Sequence, residues 1–131
     1  MLKITKAVLE EIIKHAKDDL PNEACGYLAG VNGEIKKAFK MTNVDASPTH
    51  FSFDPKEQFE AFKKAKGEDL RLIACYHSHP NTPARASDED IKLAYDSNIS
   101  YIIISLAKSE PVVKSFKIKN GEAQEEILEI I

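Results

Sequence analysis

The chain has only two cysteines, Cys25 and Cys75, in 131 residues. With 43% hydrophobic residues it has material for a continuous core without covalent staples, so no disulfide framework is called for and reduced thiols are expected. An excess of one charge sign is also missing. The 18 Lys plus Arg and 21 Asp plus Glu are interspersed and leave a net charge of −3, which argues against a strong pull on nucleic acid or anionic lipid. A protein or peptide partner is the more plausible class. No apolar run reaches the ~20 residues needed to span a bilayer. The opening MLKITKAVLEEIIKHAKDD is charged every few residues and lacks the apolar middle and small-residue cleavage site of a signal peptide, so no membrane contact and a cytoplasmic location are expected. Repeats, low-complexity runs and linkers are absent too, and residues 1–131 read as one domain.

What is present is an alternation of helical and strand patterns. Thr5 is an N-cap candidate for a helix to about Leu20, in which Val8, Leu9, Ile12, Ile13, Ala16 and Leu20 recur at helical spacing. His15 has no partner at metal-ligand spacing and reads as a helix-surface or last-turn histidine. Ala24 to Val31 reads as a strand, and Asn32-Gly33 is the preferred pair for a type I′ turn into a partner strand from Glu34 to Met41. His50 to Phe53 is a candidate short strand. Asp54, Pro55 and Glu57 then open a second helix, ended by Gly67, with Phe59, Phe62 and Ala65 as its expected buried stripe. Leu70 to Tyr76 is the next strand. A third helix is expected from Ser87 to about Asp96, and Ile99 to Leu106 is apolar on both faces, as a central strand should be. Val112 to Lys119 alternates, and Asn120-Gly121 points to a last hairpin, with helix as the alternative for Glu122 to Ile131. The pattern specifies a single α/β domain with a mixed sheet flanked by helices.

The chemistry concentrates in Ile73 to Asp90, IACYHSHPNTPARASDED. His77 and His79 end an apolar strand. Residues i and i+2 of a strand share a face at ~6.5–7 Å, so two imidazoles can lean onto one ion. Asp90, near the start of a helix, is the nearest carboxylate with a defined position. Two histidines and one carboxylate leave a fourth tetrahedral position open, the layout of a catalytic rather than a structural zinc. Hydrolysis at such a site needs a carboxylate to carry a proton from water to the leaving nitrogen. Glu23 is the candidate, because it begins a strand that can lie beside the histidine strand. Ser87 can donate its hydroxyl to a developing oxyanion. Plain structural readings stand beside these: Ser87 with Asp90 is also an ordinary helix cap, and Glu23 is also a loop acid. Cys25 and Cys75 are conceivable thiolate ligands but are more simply core residues.

Glu23, the HSHP run at His77 to Pro80, and Ser87-x-x-Asp90, with seven residues between His79 and Ser87, together resemble the signature of the JAMM (MPN+) zinc metallopeptidases, with every position filled. The resemblance spans nearly the whole chain and is closest to the small prokaryotic-type members. It implies a cytidine-deaminase-like fold, one Zn2+ on His77, His79 and Asp90, Glu23 as general acid/base, and Ser87 supporting the oxyanion. It also implies peptide or isopeptide substrates at the C-terminal tail of a ubiquitin-like or sulfur-carrier protein. A nucleoside deaminase of similar fold would need HxE and PCxxC, and neither occurs. A non-catalytic MPN scaffold and a zinc hydrolase of small molecules or short peptides are the rival readings.

Overall fold

The computed structural model describes residues 1–131. A short strand β1 (Leu2–Ile4) leads into α1 (Lys6–Asp18), whose first turn is closed by Thr5 Oγ1 accepting from the Val8 N–H at 3.3 Å. Strands β2 (Cys25–Val31) and β3 (Glu34–Met41) form the expected hairpin. Asn32 and Gly33 both take positive φ, 52° and 76°, as a type I′ turn demands. After α2 (Pro55–Gly67) come β4 (Arg71–His79), the short α3 (Asp88–Lys92), β5 (Ser100–Ser105), β6 (Val112–Lys119), β7 (Glu122–Glu126) and β8 (Leu128–Ile130).

The eight strands make one mixed sheet in the order β7-β6-β5-β4-β2-β3-β1-β8. Alternation along β4 sends Tyr76 to one face and Cys75, His77 and His79 to the other. On the Tyr76 face, Val8, Ile12 and Ala16 of α1 pack with Leu28, Ile35, Ile102 and Ile104. On the histidine face, Ile103, Phe116 and Ile118 pack under Ala84, Ile91 and Ala94. Strand β5 is central and apolar to both sides, as its composition predicts. None of the helices is long and apolar enough to cross a membrane.

Four local expectations are corrected. First, α2 buries Ala61 and Ala65, while Phe59 and Phe62 are more than half exposed. Alanines at i and i+4 let the helix backbone approach β4 closely, and this outweighs the larger apolar area of the phenylalanines. Second, His50 to Phe53 is not a strand. Only one bridge, Asn43 to Phe53, forms there, because the two phenylalanines turn inward to stack on Tyr27 and His77. Third, the last helix stops at Lys92, and the chain to Ser100 is pinned by the Tyr101 hydroxyl, which accepts from Asp96 N–H and donates to Asp96 C=O. Fourth, His15 lies in the last turn of α1, as one of the two readings has it, but is buried rather than on the surface. Its Nδ1 lies 2.7 Å from the Tyr76 hydroxyl and its Nε2 3.1 Å from Asp19 Oδ2. A carboxylate only accepts, so Nε2 carries the proton and Nδ1 accepts from Tyr76. Burial keeps the ring neutral by lowering its pKa, against the opposing pull of Asp19. This bond joins α1 to the middle of β4. Tyr76→Phe leaves the buried Nδ1 without a donor, and a loss of about 1–3 kcal/mol is expected, measured as a lower urea midpoint at unchanged slope.

Candidate metal centre

His77 and His79 come at the C-terminal end of β4, and Asp90 comes from the first turn of α3. The Nε2 atoms of the two rings lie 3.2 Å apart. His77 Nε2 is 3.1 Å from Asp90 Oδ1, and His79 Nε2 is 3.1 Å from Asp90 Oδ2. One ligand atom from each residue falls within 4.8 Å of the others, and both histidines are buried. Two ring nitrogens and a carboxylate pointed at one place are reconciled only by positive charge between them, either protons on the rings or a cation. His79 Nδ1 sits 2.9 Å from the Pro83 carbonyl, which can only accept, so this nitrogen carries the proton. The Nε2 lone pair of neutral His79 is thereby turned toward His77 and Asp90, the arrangement metal-binding histidines adopt. The His77 ring is held differently: Phe51 stacks on it at 4.6 Å between centroids and 24° between planes. An N, N, O donor set of this kind fits zinc.

The charges respond to this crowding. Burial by itself would raise the Asp90 carboxyl, but hydrogen bonds from His77, from His79 when its ring is protonated, and from the Ser87 N–H hold it well below the usual carboxylate range. Burial favours neutral His79, yet Asp90 and the Pro83 carbonyl prevail and raise its pKa. Ser87 and Asp90 form a reciprocal capping box, with Ser87 Oγ accepting from Asp90 N–H at 3.0 Å and Ser87 N–H donating to Asp90 Oδ2 at 2.9 Å. The capping role of this pair is therefore realised. It leaves the exposed Ser87 hydroxyl proton free to donate, because the oxygen serves the cap only as an acceptor.

Glu23 is buried two residues before β2. Cys25 pairs with His77 across the β2/β4 ladder. The contact runs on through the Ser78 N–H to the Ala24 carbonyl at 3.0 Å and the Ala24 N–H to Ser78 Oγ at 2.8 Å. Continuing that antiparallel register places Glu23 opposite His79. Burial pushes its carboxyl up to about 8; His79 works against the rise, while Asp90 and Glu89 add to it. Cys25 and Cys75 are both buried with thiols pushed up to about 12, chiefly by burial, so they remain protonated core residues. Sequence patterns did not point to Phe51 or the Pro83 carbonyl. Aromatic residues just before the Asp54-Pro55 helix start are the only local hint of the first.

Beyond Phe51 lies an apolar groove of about 1110 Å³, walled by Tyr27, Phe53, Phe59, Phe62 and Tyr95. The phenylalanines that α2 does not bury face this groove.

The CysO-cysteine peptidase of Mycobacterium tuberculosis is 31% identical, over all of this chain and 92% of that protein. A probable TtuB-protein conjugate cleaving protease of Thermus thermophilus is 38% identical over 72% of this chain and 64% of its own length. A protein from Desulfitobacterium hafniense has a solution structure that superposes with a TM-score of 0.91 at 43% identity, covering 100% of this chain and 93% of that one. The model of the Prok-JAB family, prokaryotic homologs of the JAB domain, matches residues 5–119. That stretch takes in Glu23 and the whole of the His77 to Asp90 segment, and the chain belongs to this family of prokaryotic JAB-domain homologues.

Proposed function

We propose that this protein is a zinc metallopeptidase that cleaves the peptide or isopeptide bond joining the C-terminal tail of a ubiquitin-like sulfur-carrier protein to a small residue or to another protein. Residues 1–131 act as one catalytic unit in the cytoplasm, where Cys25 and Cys75 stay reduced. The observation that carries the reading is the convergence of His77, His79 and Asp90, with the His79 tautomer set by Pro83. The relatives support the substrate class: one is named as a peptidase of CysO-cysteine, the other as a probable protease of TtuB-protein conjugates.

In this reading His77 and His79 contribute Nε2 and Asp90 a carboxylate oxygen. A zinc ion bound there supplies a Lewis acid and brings the pKa of water from ~16 toward ~7. Glu23 takes the proton from the attacking water onto its carboxylate oxygen and then delivers it to the nitrogen that leaves. Burial makes the Glu23 carboxyl bind a proton more readily than an exposed one, which suits it to hold the proton between those two transfers. The Ser87 hydroxyl donates to the substrate oxygen as it becomes an oxyanion, while Ser87 Oγ stays fixed by its cap. Strand β4 lies between β2 and β5, so it has no free edge on which an extended tail could pair. The tail is instead held by side chains, and the groove beyond Phe51 is the apolar surface next to the centre.

Purified protein is expected to hold about one zinc per chain, and His77→Ala to remove it; full metal content in that variant would refute the ligand assignment. Glu23→Gln is expected to keep its zinc and lose about 10²–10⁴-fold in kcat, whereas wild-type turnover would exclude Glu23 as the proton carrier. The substrate class is tested by incubating the zinc-loaded enzyme with ubiquitin-like sulfur carriers bearing an added C-terminal residue or fused protein. The trimmed carrier is expected in the mass spectrum, and no shortening of any carrier would sink the reading.

A further inference from the structure

The roles above leave out Asn43, a buried polar residue in the loop that follows β3. Its side-chain amide makes four hydrogen bonds, all to the main chain. Nδ2 donates to the carbonyls of Glu23 at 3.0 Å and His50 at 3.1 Å. Oδ1 accepts from the N–H groups of Asp45 at 3.1 Å and Ser52 at 3.2 Å. The partners set the orientation of the amide, because carbonyls only accept and N–H groups only donate. A primary amide on a one-carbon stem satisfies all four. Aspartate has the shape but no donor, and glutamine has the groups but an extra methylene.

These four bonds meet the centre on two sides. Glu23 is held by its carbonyl to Asn43 and by its N–H to the Ser47 carbonyl at 2.8 Å, so the loop grips residue 23 on both of its peptide groups. His50 and Ser52 flank Phe51, whose ring lies on His77. The same amide thus closes the loop at the place that aims Phe51. A main-chain shift at residue 23 moves the carboxyl by a comparable amount, and a displacement of ~1 Å at a reacting group can cost ~10²-fold in rate.

We propose that Asn43 is a positioning residue of the hydrolytic centre, holding the Glu23 backbone and the Phe51 platform under His77 in one geometry through a single amide. The inference rests on Glu23 as proton carrier and His77 as zinc ligand. Asn43 touches neither substrate nor metal and acts only through those two residues.

Asn43→Asp and Asn43→Ala test this in the full chain, each checked for folding by its melting curve and for zinc content at saturation. In the folded, zinc-loaded variants, kcat on the carrier that wild type cleaves is expected to fall about 10–100-fold with KM little changed. In the Glu23→Gln background, adding Asn43→Ala is expected to cost almost nothing further, because its effect runs through Glu23. Wild-type kcat in a folded variant, or a full additional loss on top of Glu23→Gln, would overturn the assignment to Glu23. Competition with a zinc chelator is expected to show about 10-fold weaker metal binding in Asn43→Ala, and unchanged zinc affinity would overturn the link to His77. This last measurement needs no substrate, so it still decides the role of Asn43 should every carrier prove inert and the proposed function fall.

Discussion

The antiparallel ladder between β2 and β4 sets the geometry on which the centre depends. Its register places Cys25 against His77 and so brings Glu23, two residues before β2, beside the end of the histidine strand. A slip of one residue would turn His77 and His79 into the core under α1. Two glycines hold the strands around that ladder at a close approach. A Cβ on Gly26 would come within 2.6 Å of the Phe39 carbonyl and run into the Tyr76 ring, while one on Gly30 would overlap the Glu34 backbone at the bulge between β2 and β3.

The second half of the centre comes from the crossover between the parallel strands β4 and β5. That connection leaves at the carboxyl end of β4, where open α/β sheets gather their ligand-binding groups. Helix α3 spans only five residues, and its cap presents Asp90. The bond that ties Asp90 to Ser87 at the start of the helix also draws off part of its charge and fixes its oxygens against the two rings. Folding and site assembly therefore use the same atoms here.

How much of this is legible in the chain depends on how far apart the partners are. His77 and His79 are legible because a strand has period two. Both Asn-Gly hairpins are legible because their turns need positive φ, and the start of α2 because Asp54 and Pro55 act within one turn. The buried face of α2 is not legible: Phe59 with Phe62 and Ala61 with Ala65 are both helical stripes, and the closeness of β4 decides between them. His15 looks superficial until Tyr76, 61 residues away, reaches it. Asn43 carries no motif at all, since its partners are main-chain groups whose positions exist only in the folded chain. Glu23 is intermediate, placed beside β4 by a strand pairing that the sequence can suggest but cannot register.

The end of the sheet has its own consequence. Strand β7 lies on β6 at one rim and β8 lies on β1 at the other, yet only Ile127 separates them. The sheet is thereby laced shut, with the Leu2 and Lys6 N–H groups donating to Ile127 and Ile131 at 3.1 and 3.0 Å. Peeling this one ribbon away would bare the outer edges of β6 and β1 together. A single short segment thus covers the edges of two strands at opposite rims of the sheet.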